Sequence, residues 1–113
     1  MTAPPISLPL ALTMGDPAGI GPEIIAKATR QMAGLVRSGH AEFIVLGSAA
    51  ALQEAESRLG LSALDDGHPL YTLVDVGPVA QPLVLGQISA AGGQWAYLAI
   101  ARAVEMVQGG QAD

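Results

Sequence analysis

Residues 15–23, Gly-Asp-Pro-Ala-Gly-Ile-Gly-Pro-Glu, hold the greatest concentration of chemically useful residues in the chain. Gly15, Gly19 and Gly21 let backbone come close to a ligand or to a second element. Pro17 and Pro22 fix φ at two points, so the turn is stiff as well as tight. Asp16 offers a carboxylate that accepts a hydrogen bond from a ligand hydroxyl, or that folds back as an Asx-type turn or helix cap. Pro22 suits the first turn of a helix, and Glu23 complements the positive end of its dipole. The glycine spacing is G-x-x-x-G-x-G, which is not the dinucleotide fingerprint, and no Gly-Lys-Ser/Thr follows as in a Walker loop. Asp16 and Glu23 place negative charge where an anion would need donors. The turn therefore suits a hydroxyl, an amide, or the sugar or base of a nucleotide better than a phosphate. A rigid strand-to-helix connection without a ligand explains the glycines equally well, and on the residues alone both readings stand.

Other reactive side chains are sparse. Asp65, Asp66 and His68 fall in one Asp-Asp-Gly-His-Pro turn. A metal could use them, but they have no companions at helical or hairpin spacing, so a solvated connector is the expectation. His40 follows a helix stop and is expected to be exposed. Trp95 and Tyr97 lie two apart on a helix and so point to different faces. Core packing is the default expectation, with one of them in the core and the other placed to meet a ligand, a second domain or a partner subunit. Ser7, Ser48, Ser57, Ser62 and Ser89 have no His/Asp arrangement around them, which gives serine-hydrolase chemistry no support.

The elements that must position the turn alternate regularly. Met1–Ser7 reads as a loose leader and Leu8–Met14 as a first strand, apolar enough to be buried on both faces of a parallel sheet. A helix is expected from Pro22 to about Arg37, with Ile24, Ile25, Ala28, Met32, Leu35 and Val36 facing inward and Lys27, Arg30 and Gln31 outward. Glu42–Gly47 is a second strand. Ser48 caps a helix over Ala49–Leu59, and Gly60 stops it. There Ala51, Leu52, Ala55 and Leu59 face inward, and Glu54, Glu56 and Arg58 do not. Leu61–Pro69 is connector and Leu70–Val76 a third strand. Gly77–Pro82 is loop, with a short extended piece at Leu83–Leu85. The longest helix runs from Ser89 or Ala90 to Gln108, with an inner stripe of Ala96, Ile100, Val104 and Val107 that Ala99 and Ala103 widen. Three strands alternating with three helices give an α/β fold, three layers deep, on a mainly parallel sheet. The sheet is expected to keep an open edge where a fourth strand would follow.

Composition narrows the class. With 113 residues the chain forms one domain at most. Half of the residues are apolar and 13% are charged, so a core is within reach. The net charge is −5 and the isoelectric point about 4.7. Lys27, Arg30, Arg37, Arg58 and Arg102 are scattered, which argues against nucleic acid and against anionic membranes as partners. The absence of cysteine excludes disulfides, iron–sulfur clusters and thiolate chemistry, and a cytoplasmic location is the expectation. The N-terminal stretch lacks a basic region and is interrupted by Pro4, Pro5 and Pro9, so no signal peptide is read. No run approaches the ~20 apolar residues of a membrane span.

The segment Thr13-Met14-Gly15-Asp16-Pro17-Ala18-Gly19-Ile20-Gly21-Pro22-Glu23 resembles the N-terminal signature of the 4-hydroxythreonine-4-phosphate dehydrogenases of pyridoxal phosphate biosynthesis. The wider isocitrate and isopropylmalate dehydrogenase class has a similar turn. A second match is Gly86-Gln87-Ile88-Ser89-Ala90-Ala91-Gly92-Gly93, leading into the last helix. The resemblance implies that residues 1–113 are the N-terminal part of one α/β dehydrogenase domain, about the first third of such an enzyme. It implies NAD(P)-dependent oxidation of 4-phosphohydroxy-L-threonine, a phosphorylated hydroxy amino acid, followed by spontaneous decarboxylation to 3-amino-2-oxopropyl phosphate. It also implies a homodimer and a divalent metal (zinc, magnesium or cobalt) whose histidine ligands lie outside this chain, so that no catalytic or metal residue is assigned within it. By analogy with the wider class, Gly15, Asp16, Gly19, Ile20 and Gly21 are the cofactor-binding candidates, for NAD or NADP. Related enzymes with the same signature oxidise four-carbon sugar-acid phosphates or aromatic dihydrodiols. A stand-alone nucleotide- or partner-binding α/β module is the alternative from another class.

Overall fold

The computed structural model describes residues 8–77 and 84–113. The expected leader Met1–Ser7, most of the 77–82 loop and the first residue of the expected 83–85 piece lie outside the described residues. Three parallel strands form the central sheet: β1 (Leu10–Thr13), β2 (Phe43–Gly47) and β5 (Thr72–Asp75), in the order β1-β2-β5. Leu10 pairs with Phe43 at one end of the first ladder and Thr13 with Leu46 at the other, while Ile44 pairs with Thr72 and Gly47 with Asp75.

Strand alternation sorts the side chains into two cores. On one face Met14, Val45 and Leu52 pack with Ile25 and Ala26, backed by Leu12 and Leu73. On the other, Leu46 packs with Ala99, Met106 and Ala112, backed by Ala11, Ile44 and Val74. The first core is covered by α1 (Gly21–Gln31) and α3 (Ala49–Leu59), the second by α4 (Ala90–Gln108). The result is the expected three-layer α/β arrangement with helices on both faces of a parallel sheet.

Local chemistry sets the helix ends. Ser48 caps α3 by accepting from the Ala51 N–H at 3.2 Å, and Gly60 ends it in the left-handed conformation at φ 68°. Ser89 caps α4 in the same way, accepting from the Gly92 N–H at 3.0 Å. Pro22 stands in the first turn of α1.

Several expectations are corrected. The single helix over Pro22–Arg37 is two: α1 stops at Gln31, Met32 leaves helical geometry at ψ 11°, and α2 (Ala33–Arg37) follows. The buried face of α1 is Pro22, Ile25, Ala26 and Thr29, not Ile24. Thr29 sits in the interior because its hydroxyl donates to the Ile25 carbonyl at 2.8 Å, which removes the cost of burying it. Leu35, expected inside, is exposed.

The connector 61–69 contains a small antiparallel hairpin, β3 (Leu64–Asp65) with β4 (His68–Pro69). Its two-residue loop is Asp66-Gly67, both at positive φ (50° and 83°), the conformation that a tight hairpin turn demands. Glu56 is buried rather than outward-facing. In α4 the buried residues are Ala91, Gly92, Trp95, Ala99 and Met106, whereas Ile100, Val104 and Val107 of the expected inner stripe stay 53%, 48% and 46% exposed.

Candidate functional site

All three strands of the sheet run the same way, so their carboxyl ends share one edge. There the 15–23 turn leaves β1, Gly47-Ser48 leaves β2 and Val76-Gly77 leaves β5. This is where ligands of open α/β sheets collect.

The turn is held from within. The Asp16 carboxylate accepts from the Ala18 N–H at 2.9 Å, and the Asp16 carbonyl accepts from the Gly19 N–H at 2.9 Å. Asp16 thus makes the Asx-type contact that its structural reading calls for, and two of the turn's amides are engaged internally. Gly15 adopts φ 70°, and a Cβ there would meet open space. At Gly21, by contrast, a Cβ would collide with the Met14 carbonyl, so only glycine lets the start of α1 lie against the end of β1. Pro17 and Ala18 are buried, while Ile20 stands 70% exposed at the tip. Glu23 points away from the turn and pairs with Arg58 of α3 at 3.0 Å.

The two separated motifs meet here. The Gly86 N–H donates to the Ala18 carbonyl at 2.7 Å. Three residues past the Ser89 cap, Gly92 lies so close to the Asp16 carboxylate that a Cβ would enter it. Asp16 therefore stands at the first turn of α4, where a carboxylate complements the helix dipole. This contact was legible only as two glycine-rich motifs; nothing in either one names the other.

The remaining candidates are placed elsewhere. Asp65 bonds to Arg30 at 3.1 Å and to Arg37 at 3.3 Å, which ties the hairpin to α1 and α2. Ser38 Oγ lies 2.8 Å from His40 Nδ1. Among the described residues no three His, Cys, Asp or Glu side chains gather as a metal donor set. The divalent metal that the resemblance implies does not fit the described part of the molecule. Trp95 is buried, and Tyr97, two residues on, is exposed. No described helix is long and apolar enough to cross a membrane.

One polar pair escaped the sequence reading. The Tyr71 hydroxyl donates to the buried Glu56 carboxylate, 2.9 Å from one oxygen and 3.1 Å from the other. Burial raises the Tyr71 phenol above its ordinary range, and the hydrogen bond to Glu56 and its charge add to the shift. A glutamate among the apolar positions of α3 gives no sign that a tyrosine from the third strand region will reach it.

No family model matches the chain. Individual relatives do. A protein of Bradyrhizobium diazoefficiens named putative D-threonate 4-phosphate dehydrogenase is 40% identical over 109 residues, covering 90% of this chain and 32% of the relative. A 4-hydroxythreonine-4-phosphate dehydrogenase of Zymomonas mobilis is 35% identical over 112 residues, covering 93% of this chain and 32% of the relative. The crystal structure of a 4-hydroxythreonine-4-phosphate dehydrogenase from Burkholderia phymatum superposes with a TM-score of 0.77 at 29% identity, covering 96% of this chain and 35% of that one. A terephthalate 1,2-cis-dihydrodiol dehydrogenase from Burkholderia xenovorans gives 0.71 at 30% identity, over 94% of this chain and 32% of that one. The chain thus spans about a third of the length of the relatives it matches. In sequence and fold the chain is similar to the N-terminal third of 4-hydroxythreonine-4-phosphate dehydrogenases.

Proposed function

We propose that the chain builds the nucleotide side of an NAD(P)-dependent dehydrogenase that oxidises the secondary alcohol of a phosphorylated hydroxy acid. The observation that supports it is the meeting of the two glycine motifs at the carboxyl edge. Gly86 bonds to Ala18, and Gly92 packs on Asp16, beside the exposed Ile20. The open space at Gly15 and the apolar tip at Ile20 suit a sugar or base. The internal use of the Ala18 and Gly19 amides leaves the turn poor in donors for phosphate. Gly15, Asp16, Gly19, Ile20 and Gly21 are the residues we assign to this contact. A nicotinamide nucleotide supplies the hydride acceptor. This chain's residues orient it and exclude water from one side.

The relatives' names point to two substrates, 4-phosphohydroxy-L-threonine and D-threonate 4-phosphate. Both present a hydroxyl and a distal phosphate. We favour the first as the parent reaction. The second is kept because the 40%-identical relative carries that name.

A chimera tests the reading. Residues 8–113 replace the matching third of the Bradyrhizobium relative, and the absorbance of reduced nicotinamide is followed with each substrate, NAD or NADP, and divalent metal. Retained reduction, weakened through nucleotide affinity by Asp16→Ala, supports the proposal. A folded chimera that binds neither nucleotide overturns it.

A further inference from the structure

Met14 stands between the end of β1 and the 15–23 turn, and it is bonded to β2 twice. Its N–H donates to the Leu46 carbonyl at 3.2 Å and so extends the ladder by one step. Its thioether Sδ accepts from the Ser48 N–H at 3.3 Å, with Met14 3% and Ser48 7% exposed. Ser48 in turn caps α3 through the Ala51 N–H, and its neighbour Gly47 accepts from the Val76 N–H at 3.1 Å. The ends of all three strands are thus tied across the carboxyl edge, and the Met14 sulfur supplies a side-chain tie between the first two. Two glycines shape the room around it. A Cβ at Gly47 would fall among Cγ, Sδ and Cε of Met14, and a Cβ at Gly21 would strike the Met14 carbonyl. The space beside Gly47 therefore suits an unbranched side chain. Among large apolar side chains methionine alone is both unbranched and able to accept a hydrogen bond.

We propose that Met14 is a positioning residue for the nucleotide, an inference that rests on the assignment of the 15–23 turn to that ligand. Buried, Met14 reaches no ligand itself. Its main chain leads into Gly15, and Gly21 packs on its carbonyl, so the turn is held at both ends by the place that Met14 takes. The sulfur fixes that place against Ser48, where the second strand passes into α3. An amide buried without an acceptor is costly, so the pair stays in register. Gly15 and Ile20 are then presented at one fixed height above the sheet. Leucine would fill much of the same space, but it would leave the Ser48 N–H unpaired and set its branch against Gly47. The turn would shift, and a displacement of roughly 1 Å at a ligand contact is enough to be felt in binding.

The chimera with the Bradyrhizobium relative carries the test. Met14→Leu removes the acceptor, and Gly47→Ala drives a methyl group into the thioether. Each should raise the KM for the nucleotide about tenfold while kcat and the KM for the phosphorylated substrate stay within about twofold. Gly47→Ala stands alone should Met14→Leu fail to fold. Leu52→Ala is the control: it loosens the core to which Met14 belongs without touching the sulfur. It should lower the melting temperature and leave the nucleotide KM as in the parent. Variants at Met14 and Gly47 that melt earlier but keep the parent's nucleotide KM would make Met14 a packing residue and overturn the proposal. So would a Leu52→Ala chimera whose nucleotide KM rises as far as theirs. A parent chimera that binds neither NAD nor NADP overturns the nucleotide reading and this role with it, whereas a parent that binds beside unaffected variants overturns this role alone.

Discussion

On one face of the sheet α1 and α3 lie side by side over Met14, Val45 and Leu52 and seal each other's margins. Glu23 of α1 pairs with Arg58 of α3, and Tyr71 beneath them reaches Glu56. On the other face α4 alone, among the described residues, crosses β2 and β1. It buries Trp95, Ala99 and Met106 but leaves Ile100, Val104 and Val107 half exposed. Both faces are apolar in sequence. The difference lies in neighbours: two helices shield one another, whereas α4 has flanks that no other described element covers. An apolar stripe reports how much of a helix is to be covered, not what covers it.

The largest effect should come from the sealed face. Leu52 is fully buried, so Leu52→Ala is expected to lower the unfolding free energy by about 2–5 kcal/mol. Val104→Thr, on the open flank of α4, should change it by less than about 0.5 kcal/mol. Denaturant unfolding of both variants checks the pair. Equal losses would mean that Val104 is core and that the two faces do not differ.

The junction between the faces is next. Gly92 lets the first turn of α4 lie against the Asp16 carboxylate. Gly92→Ala is expected to cost about 1–3 kcal/mol, since the methyl group displaces that carboxylate or the helix. In an Asp16→Ala background the same change should cost less, giving a coupling of about 0.5 kcal/mol or more in a double-mutant cycle. Additive losses would separate the 15–23 turn from α4 and remove the support that their contact gives the nucleotide reading.

Much of this was legible beforehand because the signals are local. The alternation of strands and helices, the Ser48 and Ser89 caps and the Gly60 stop follow from residue type and spacing alone. The 15–23 turn was legible as stiff and close-packed, and Gly21 shows why: it lies on the Met14 carbonyl. The break at Met32 was not legible, because the apolar period runs through it without a Pro, and Gly34 is a weak signal beside that period. The hairpin could have been found, since Asp66-Gly67 is a strong turn signal. Its strands are only two residues each and show no alternation. The inner stripe of α4 was misassigned for the reason the two faces differ. The helix has more apolar surface than its own sheet can cover, and periodicity ranked the larger Ile100, Val104 and Val107 above the smaller Ala99, which packs against the sheet.

The Tyr71–Glu56 pair gives a smaller but more diagnostic effect than the Leu52 and Gly92 changes, because it closes the sealed face with a polar contact instead of an apolar one. Burial, the hydrogen bond from the phenol to Glu56 and the glutamate charge all favour the protonated phenol in the folded chain. An unfolded tyrosine titrates near pH ~10. Below that pH the phenol is neutral in both states, and the contribution of the contact is fully present. Above it the unfolded chain releases its proton first, the folded chain holds the more protons, and stability falls as pH rises. Tyr71→Phe removes the donor to a buried carboxylate and should cost about 1 kcal/mol at neutral pH, a value discounted for the half-exposed ring. It should also flatten the alkaline decline, because phenylalanine has no proton to lose. Urea unfolding of both proteins at neutral pH and near pH ~11 distinguishes the outcomes. A parent and variant that decline in parallel above pH ~10 would mean that Tyr71 is not the group that responds. The sealed face would then owe its closure to α1–α3 packing and the Glu23–Arg58 pair alone.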